Sequence, residues 1–231
     1  MASQLTSAFL VTAAFAALAY ALGMISRSGA LGGLLVGTTI YVSLGPRGFA
    51  ILALFVVGGS LLTRLGYGRK QHTGTAQEHG GRRSARNAIA NCAVATLCAL
   101  LAAATGAEAF TVAFVASIGA AFADTAESEI GQLFSRAPRL ITTLRKVPPG
   151  TDGAISLPGT VAGAGAACLT SVLALAFGML EAPTSAFIVA IASFAGTVAD
   201  SLIGALSPRA GNELTNVLCT LVAALLALIR V

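Results

Sequence analysis

Residues 111 to 136 read TVAFVASIGAAFADTAESEIGQLFSR, and residues 184 to 209 read TSAFIVAIASFAGTVADSLIGALSPR. Each is an apolar run of membrane-spanning length that ends in carboxylate and then Arg. The two align without a gap at an offset of 73 residues, matching Thr111 with Thr184, Phe114 with Phe187, Ile118 with Ile191 and Glu127 with Asp200. Ser128 falls on Ser201, Gly131 on Gly204 and Arg136 on Arg209, and upstream Glu108 falls on Glu181. Matched charges and glycines are harder to obtain by chance than matched alanines, so the pattern predicts a duplicated transmembrane helix.

Working outward, the whole chain has the same character. Of 231 residues, 56% are hydrophobic and 10% charged, with no Trp and a mean hydropathy of +0.85; a soluble domain carries about 25% charged residues. Eight apolar stretches stand out, at about 5 to 25, 29 to 45, 48 to 63, 85 to 105, 108 to 124, 157 to 179, 183 to 205 and 212 to 230. The second and third are short and Gly-rich. The expectation is an all-α polytopic membrane bundle of six to eight spans, one integral membrane domain over residues 1 to 231. It divides into N-terminal helices (1 to 63), two internal repeats (80 to 136 and 157 to 209) and a C-terminal helix (211 to 231). MASQ at the start has no positive charge, so the first span reads as a retained helix and not a secretory signal.

Each repeat contains two spans, an even number, so the copies share one orientation about an axis along the membrane normal. Glu127 and Asp200 would then face each other across that axis. GxxxG spacings at Gly33/Gly37 and Gly159/Gly163 predict close helix approach.

Eight spans put twelve of the fourteen Lys and Arg on one side, leaving Arg47 and Arg230 on the other. The positive-inside rule makes the rich side cytoplasmic, in the cell (inner) membrane. The net charge of +5 is then a one-sided surface and implies no nucleic-acid partner. GRRSARNAIAN (81 to 91), FADTAESEIG (122 to 131), KVPPGTDGAISLPGT (146 to 160), GTVADSLIG (196 to 204) and GNELTN (211 to 216) all land on that face. Cys92, Cys98, Cys168 and Cys219 lie inside spans without metal-site spacing and read as packing residues. His72 and His79 read as solvated loop residues.

A carboxylate deep in a bilayer costs about 2.5 to 3.5 kcal/mol on insertion scales, so it needs a partner or a task. Asp124 and Glu127 stand three apart on one helical face with Ser128, while Glu129 points elsewhere. Carboxylates at a helix end suit Mg²⁺, which keeps waters and phosphate oxygens as its other ligands. The candidate metal ligands are Asp124, Glu127 and Asp200. Phosphate needs free backbone N–H groups and nearby cations. One loop offers Lys146, Gly150, Gly153, Ser156, Gly159 and Thr160; another offers Arg82, Arg83 and Arg86, followed by Asn87 and Asn91. There is no Walker or Rossmann fingerprint. Such a site at a membrane face suits a lipid phosphate, with soluble phosphates arriving from the cytoplasm.

Taken together, ADTAESEIG, KVPPGTDGAISLPGT, GTVADSLIGA and GNELTN resemble the membrane family once called domain of unknown function ninety-two. That family includes transmembrane protein nineteen and the phytyl-phosphate kinases of tocopherol synthesis. The resemblance runs from about residue 80 to 220. It implies a kinase that converts an isoprenoid monophosphate to the diphosphate, with CTP (or ATP) as donor. Asp124, Thr125, Glu127, Glu129 and Gly131 match the acidic motif, the residues from Lys146 to Thr160 the Gly-rich one, Asp200 and Ser201 the third, and Asn212 and Asn216 the last. Two positions depart from the family: Ala126 stands where an aromatic is common, and Asp152 where Asn precedes the Gly. On chemical grounds Mg²⁺ would bridge the nucleotide phosphates from Asp124, Glu127 and Asp200, and Lys146 with Arg82 or Arg83 would neutralise the transferred group. A cytidylyltransferase acting on a lipid phosphate, or a small-solute or ion transporter, would use much of the same inventory.

Overall fold

The computed structural model describes residues 2–207 and 209–230; Met1, Val231 and Pro208 of the second repeat copy lie outside the described residues. In chain order the elements are α1 (Ala2–Ala21), α2 (Arg27–Arg64), α3 (Tyr67–His72), α4 (Ala85–Thr105) and α5 (Glu108–Phe134). There follow β1 (Arg139–Leu140), β2 (Ala154–Ile155), α6 (Leu157–Ala176), α7 (Pro183–Leu206) and α8 (Asn212–Arg230). All helices except the short α3 are long and apolar enough to cross a membrane, which makes seven.

The seven include one that combines two of the expected spans. Inside α2, Gly45 takes φ 68° and ψ −165°, a conformation suited to glycine, and Pro46 follows it. The two limbs fold back on each other there. Gly37 and Phe49 would be about 18 Å apart along a straight helix, yet a Cβ on Gly37 would lie 3.2 Å from the Phe49 ring. Tyr41 also packs on Phe49, with ring centroids 5.9 Å apart. The chain therefore passes through the bundle eight times.

This parity gathers the polar segments at one end. Arg64 donates to the Leu22 carbonyl at 2.6 Å, and Ile25 pairs with Arg83, which ties the start of α2, the end of α2 and the approach to α4 together. At the other end Arg47 donates to the Gly178 carbonyl (3.3 Å). β1 and β2 form a two-residue antiparallel pair that shapes the α5–α6 loop at the basic end.

α5 is the axis of the bundle, packed against α2, α4, α6, α7 and α8. Its core face is made of small residues, among them Ala113, Ala116, Gly119, Ala120 and Ala123, which lets neighbouring backbones come close. Ser193 of α7 donates to the Ala116 carbonyl at 3.0 Å and sits directly on Gly119. On α6, a Cβ at Gly159 would lie 2.6 Å from the Glu127 carbonyl, and one at Gly163 would lie 3.2 Å from that of Ala123. The second GxxxG is thus a helix-packing seam. The first is only half so: Gly37 is packed on Thr12, but nothing lies within 4 Å of a Cβ at Gly33. Cys92, Cys98 and Cys219 are buried as expected, whereas Cys168 is exposed on α6 and does not pack.

Candidate active site

At the basic end the five motifs line one polar cavity of about 1010 Å³. α5 delivers Asp124, Glu127 and Ser128, α7 delivers Asp200 and Ser201, and the first turns of α8 deliver Asn212, Thr215 and Asn216. The approach to α4 supplies Arg82 and Arg83, and its first two turns supply Asn87 and Asn91. Loops 73–79 and 149–154 close the sides and meet where Gly150 approaches Thr75.

Ser84 caps α4, its hydroxyl accepting from the Asn87 amide while Asn87 Oδ1 accepts from the Ser84 amide at 2.9 Å. Asn91 in turn donates to the Asn87 carbonyl (3.0 Å). Cap and cavity wall are the same residues, so the helix start is fixed where it faces the cavity. Ser156 caps α6 in the same way, accepting from the Gly159 amide at 3.2 Å.

The acids have different environments. Among the described residues Asp124 has no hydrogen-bond donor, and it interacts electrostatically with Asp200, Glu127 and Arg83. Asp200 has Thr215 against its carboxylate, and its Oδ1 is buried with no hydrogen-bond partner among the described residues. Glu127 is already engaged: Thr160 donates to its Oε1 at 3.2 Å, and Thr197 of α7 lies within hydrogen-bonding reach. Among the described residues no three His, Cys, Asp or Glu side chains group as ligands of one metal ion. Asp124, Glu127 and Asp200 all line the cavity; among the described residues Asp124 and the buried Oδ1 of Asp200 are left without donors, while Glu127 also joins α5 to α6 and α7. Two open carboxylates, one with an orphaned oxygen, fit a hard cation that takes one or two protein ligands.

Arg83 is the nearest cation. Its guanidinium carbon stands 5.0 Å from the centroid of the Phe55 ring, and Nη2 donates to Thr125 Oγ1 at 3.3 Å. Burial pushes this guanidinium below its ordinary value, against the opposing pull of Glu129, Cys92 and Asp124; it stays charged, as Arg does in proteins. A Cβ on Gly59 would lie 2.8 Å from its Nη2, so the glycine makes room for it.

Not every expected residue reaches the cavity. Gly150, Gly153 and Ser156 line it, but Lys146, Gly159 and Thr160 do not. Lys146 is exposed and its backbone pairs with Arg139. Gly153 also serves packing, since a Cβ there would run into Ala205 and the Ser201 carbonyl on α7. Asp152, where the family pattern has Asn, faces the cavity and its field reaches Asp200.

Sequence reasoning missed Lys70. Its ammonium is buried in α3 and donates to Glu129 Oε2 (2.6 Å), the Thr63 carbonyl (2.8 Å) and the Leu62 carbonyl (3.1 Å), using all three protons. The signal available was Glu129 itself: an acid turned away from Asp124 and Glu127 on a central helix needs a cation, and the 64–86 segment is rich in them.

A family model described as integral membrane protein DUF92 matches residues 10–224. The chain is 34% identical over 201 residues to the uncharacterized membrane protein sll0875 of Synechocystis sp., covering 84% of this chain and 77% of the relative. It is 33% identical over 209 residues to the uncharacterized membrane protein MJ0933 of Methanocaldococcus jannaschii, covering 89% and 85%. Protein VTE6, chloroplastic, of Arabidopsis thaliana is 33% identical over 186 residues, which is 78% of this chain and 56% of that longer protein. No solved structure matches.

Proposed function

The chain belongs to the DUF92 family of integral membrane proteins, and on that basis we propose that it is a membrane-embedded kinase that converts an isoprenoid monophosphate to the diphosphate. The observation that carries this reading is the meeting of Asp124 and Asp200 with Arg82 and Arg83 in one cavity at the end of the bundle. Carboxylates for a metal and guanidiniums for phosphates form the minimal inventory of phosphoryl transfer, a reaction governed by positioning and charge neutralisation. The resemblance of the motifs to the family that includes the phytyl-phosphate kinases supports the substrate class, and protein VTE6, chloroplastic, of Arabidopsis thaliana is among the chain's relatives.

In this mechanism a nucleoside triphosphate, CTP or ATP, and the lipid phosphate enter the cavity from the face we assign to the cytoplasm. Arg83, held over Phe55 and bonded to Thr125, and the more exposed Arg82 draw the phosphates together. An oxygen of the lipid monophosphate forms the new P–O bond to the terminal phosphorus as the bond to the nucleoside diphosphate breaks. The attacking oxygen is already ionised, so no strong general base is required. Mg²⁺, which Asp124 and Asp200 would hold, supplies neutralisation of the donor phosphates when bound. Asn212 and Asn216 present amides to the nucleotide side, and Glu127 holds α5, α6 and α7 in register.

The test uses purified protein in lipid nanodiscs with Mg²⁺, labelled CTP or ATP, and phytyl, geranylgeranyl or farnesyl phosphate. Lipid diphosphate and nucleoside diphosphate are the expected products. Pyrophosphate with a CMP-linked lipid would replace the reading with a cytidylyltransferase, and uptake into liposomes without product would replace it with a transporter.

A further inference from the structure

A second cavity touches the first. It is apolar, about 60 Å³, and lies between α1, α2 and α4, walled by Phe15, Gly33, Val36, Leu52 and Cys92. Arg83, Ser84 and Asn87 line both cavities. Gly29, Gly33 and Val36 follow one face of the first limb of α2, so the slot runs about 10 Å inward from the basic end. At the junction Arg83 Nε is buried with no hydrogen-bond partner among the described residues, leaving one donor of the cation free.

We infer that this slot holds the head end of the lipid substrate's isoprenoid chain, with its phosphate at Arg83 and the rest of the chain running on into the bilayer. This rests on the kinase reading for the identity of the headgroup. A polar cavity and an apolar slot that share a buried guanidinium suit an amphiphile with an anionic head. An ordinary free phosphate would use only the polar side. The volume accommodates the first part of a chain, not all of it. Gly33 is the gate: a Cβ there meets no atom within 4 Å, so a larger side chain fills the slot without displacing the fold, and Leu favours a helix more than Gly does.

The experiment compares the wild type and Gly33→Leu in nanodiscs, using farnesyl phosphate with a photoactivatable diazirine in its first isoprene unit. Label is expected on residues 29 to 36 of α2 and 88 to 92 of α4, and to be lost in Gly33→Leu. The KM for farnesyl phosphate should rise about ten-fold or more in Gly33→Leu, equivalent to the loss of a few buried methylenes, while that for the nucleotide stays within about two-fold; Gly33→Ala should fall between. Diphosphate formation with label on α6 or α7, or with an unchanged KM in Gly33→Leu, overturns the slot and leaves the kinase standing. Specific label in the slot without diphosphate from any nucleotide overturns the kinase and leaves the slot.

Discussion

α5 and α7 carry one sequence pattern and stand in two different solvents. Phe114 and Ile118 on α5 are 0% exposed, whereas their matches on α7, Phe187 and Ile191, are 69% and 56% exposed. An apolar residue is correct in both places, because protein interior and lipid make the same demand on it. The apolar letters can therefore match whichever helix takes the centre. The acids at the cavity end diverge instead: Asp124 corresponds to Thr197 and Glu129 to Leu202, and there only the Glu127/Asp200 match keeps a carboxylate in both segments. Of the two, the central helix supplies most of the acids, and the peripheral one adds a single acid to the same cavity.

The comparison is broken most sharply at the acids. Asp124→Asn and Asp200→Asn should each lower turnover by about 10³-fold, the scale of removing one electrostatic element of a transition state, with an unchanged melting profile in detergent. Full activity in either variant would remove that carboxylate from the reaction. Next comes the buried ion pair that only α5 possesses. Lys70→Met leaves Glu129 enclosed without a cation and should cost about 3 to 5 kcal/mol of stability. Adding Glu129→Leu, which copies Leu202, should restore most of it; failure to recover in thermal or denaturant unfolding would mean the pair does more than satisfy itself. Phe114→Ala should then cost about 3 kcal/mol through the cavity it leaves, against less than about 0.5 kcal/mol for Phe187→Ala on the lipid side. Equal losses would contradict the assignment of centre and periphery. Smallest of all is Arg86→Ala. Its 4.0 Å contact with Glu213 is exposed on both sides, and stability should move by less than about 0.5 kcal/mol.

Bundle class, helix positions and the convergence of the five motifs were legible because they depend on apolar length and charge sidedness, which are one-dimensional properties. The α2 reversal was half legible. Pro46 and Arg47 fall in the gap between two short spans, and the close return of the limbs follows from a torsion at the one residue before it, Gly45. Lys70 was hidden because α3 is six residues long and has no apolar stripe to announce it; its burial comes from packing on α5. Gly159 and Thr160 were read as nucleotide contacts, although a glycine that frees an amide and one that admits a neighbouring helix look alike in sequence. Lys146 is a related case: a cation beside a Gly-rich loop goes where the loop takes it, and here it is exposed and does not line the cavity.

The reversal at Gly45 also decides what an outside observer would see. Because α2 counts as two passes, the start of α1 and the end of α8 emerge together on the side away from the cavity. Reporter fusions or epitope tags placed at either end should therefore give the same compartment, while a cysteine introduced at Thr75 should label from the other. Straightening the turn would change the parity by one and carry the N-terminal tag alone across the bilayer.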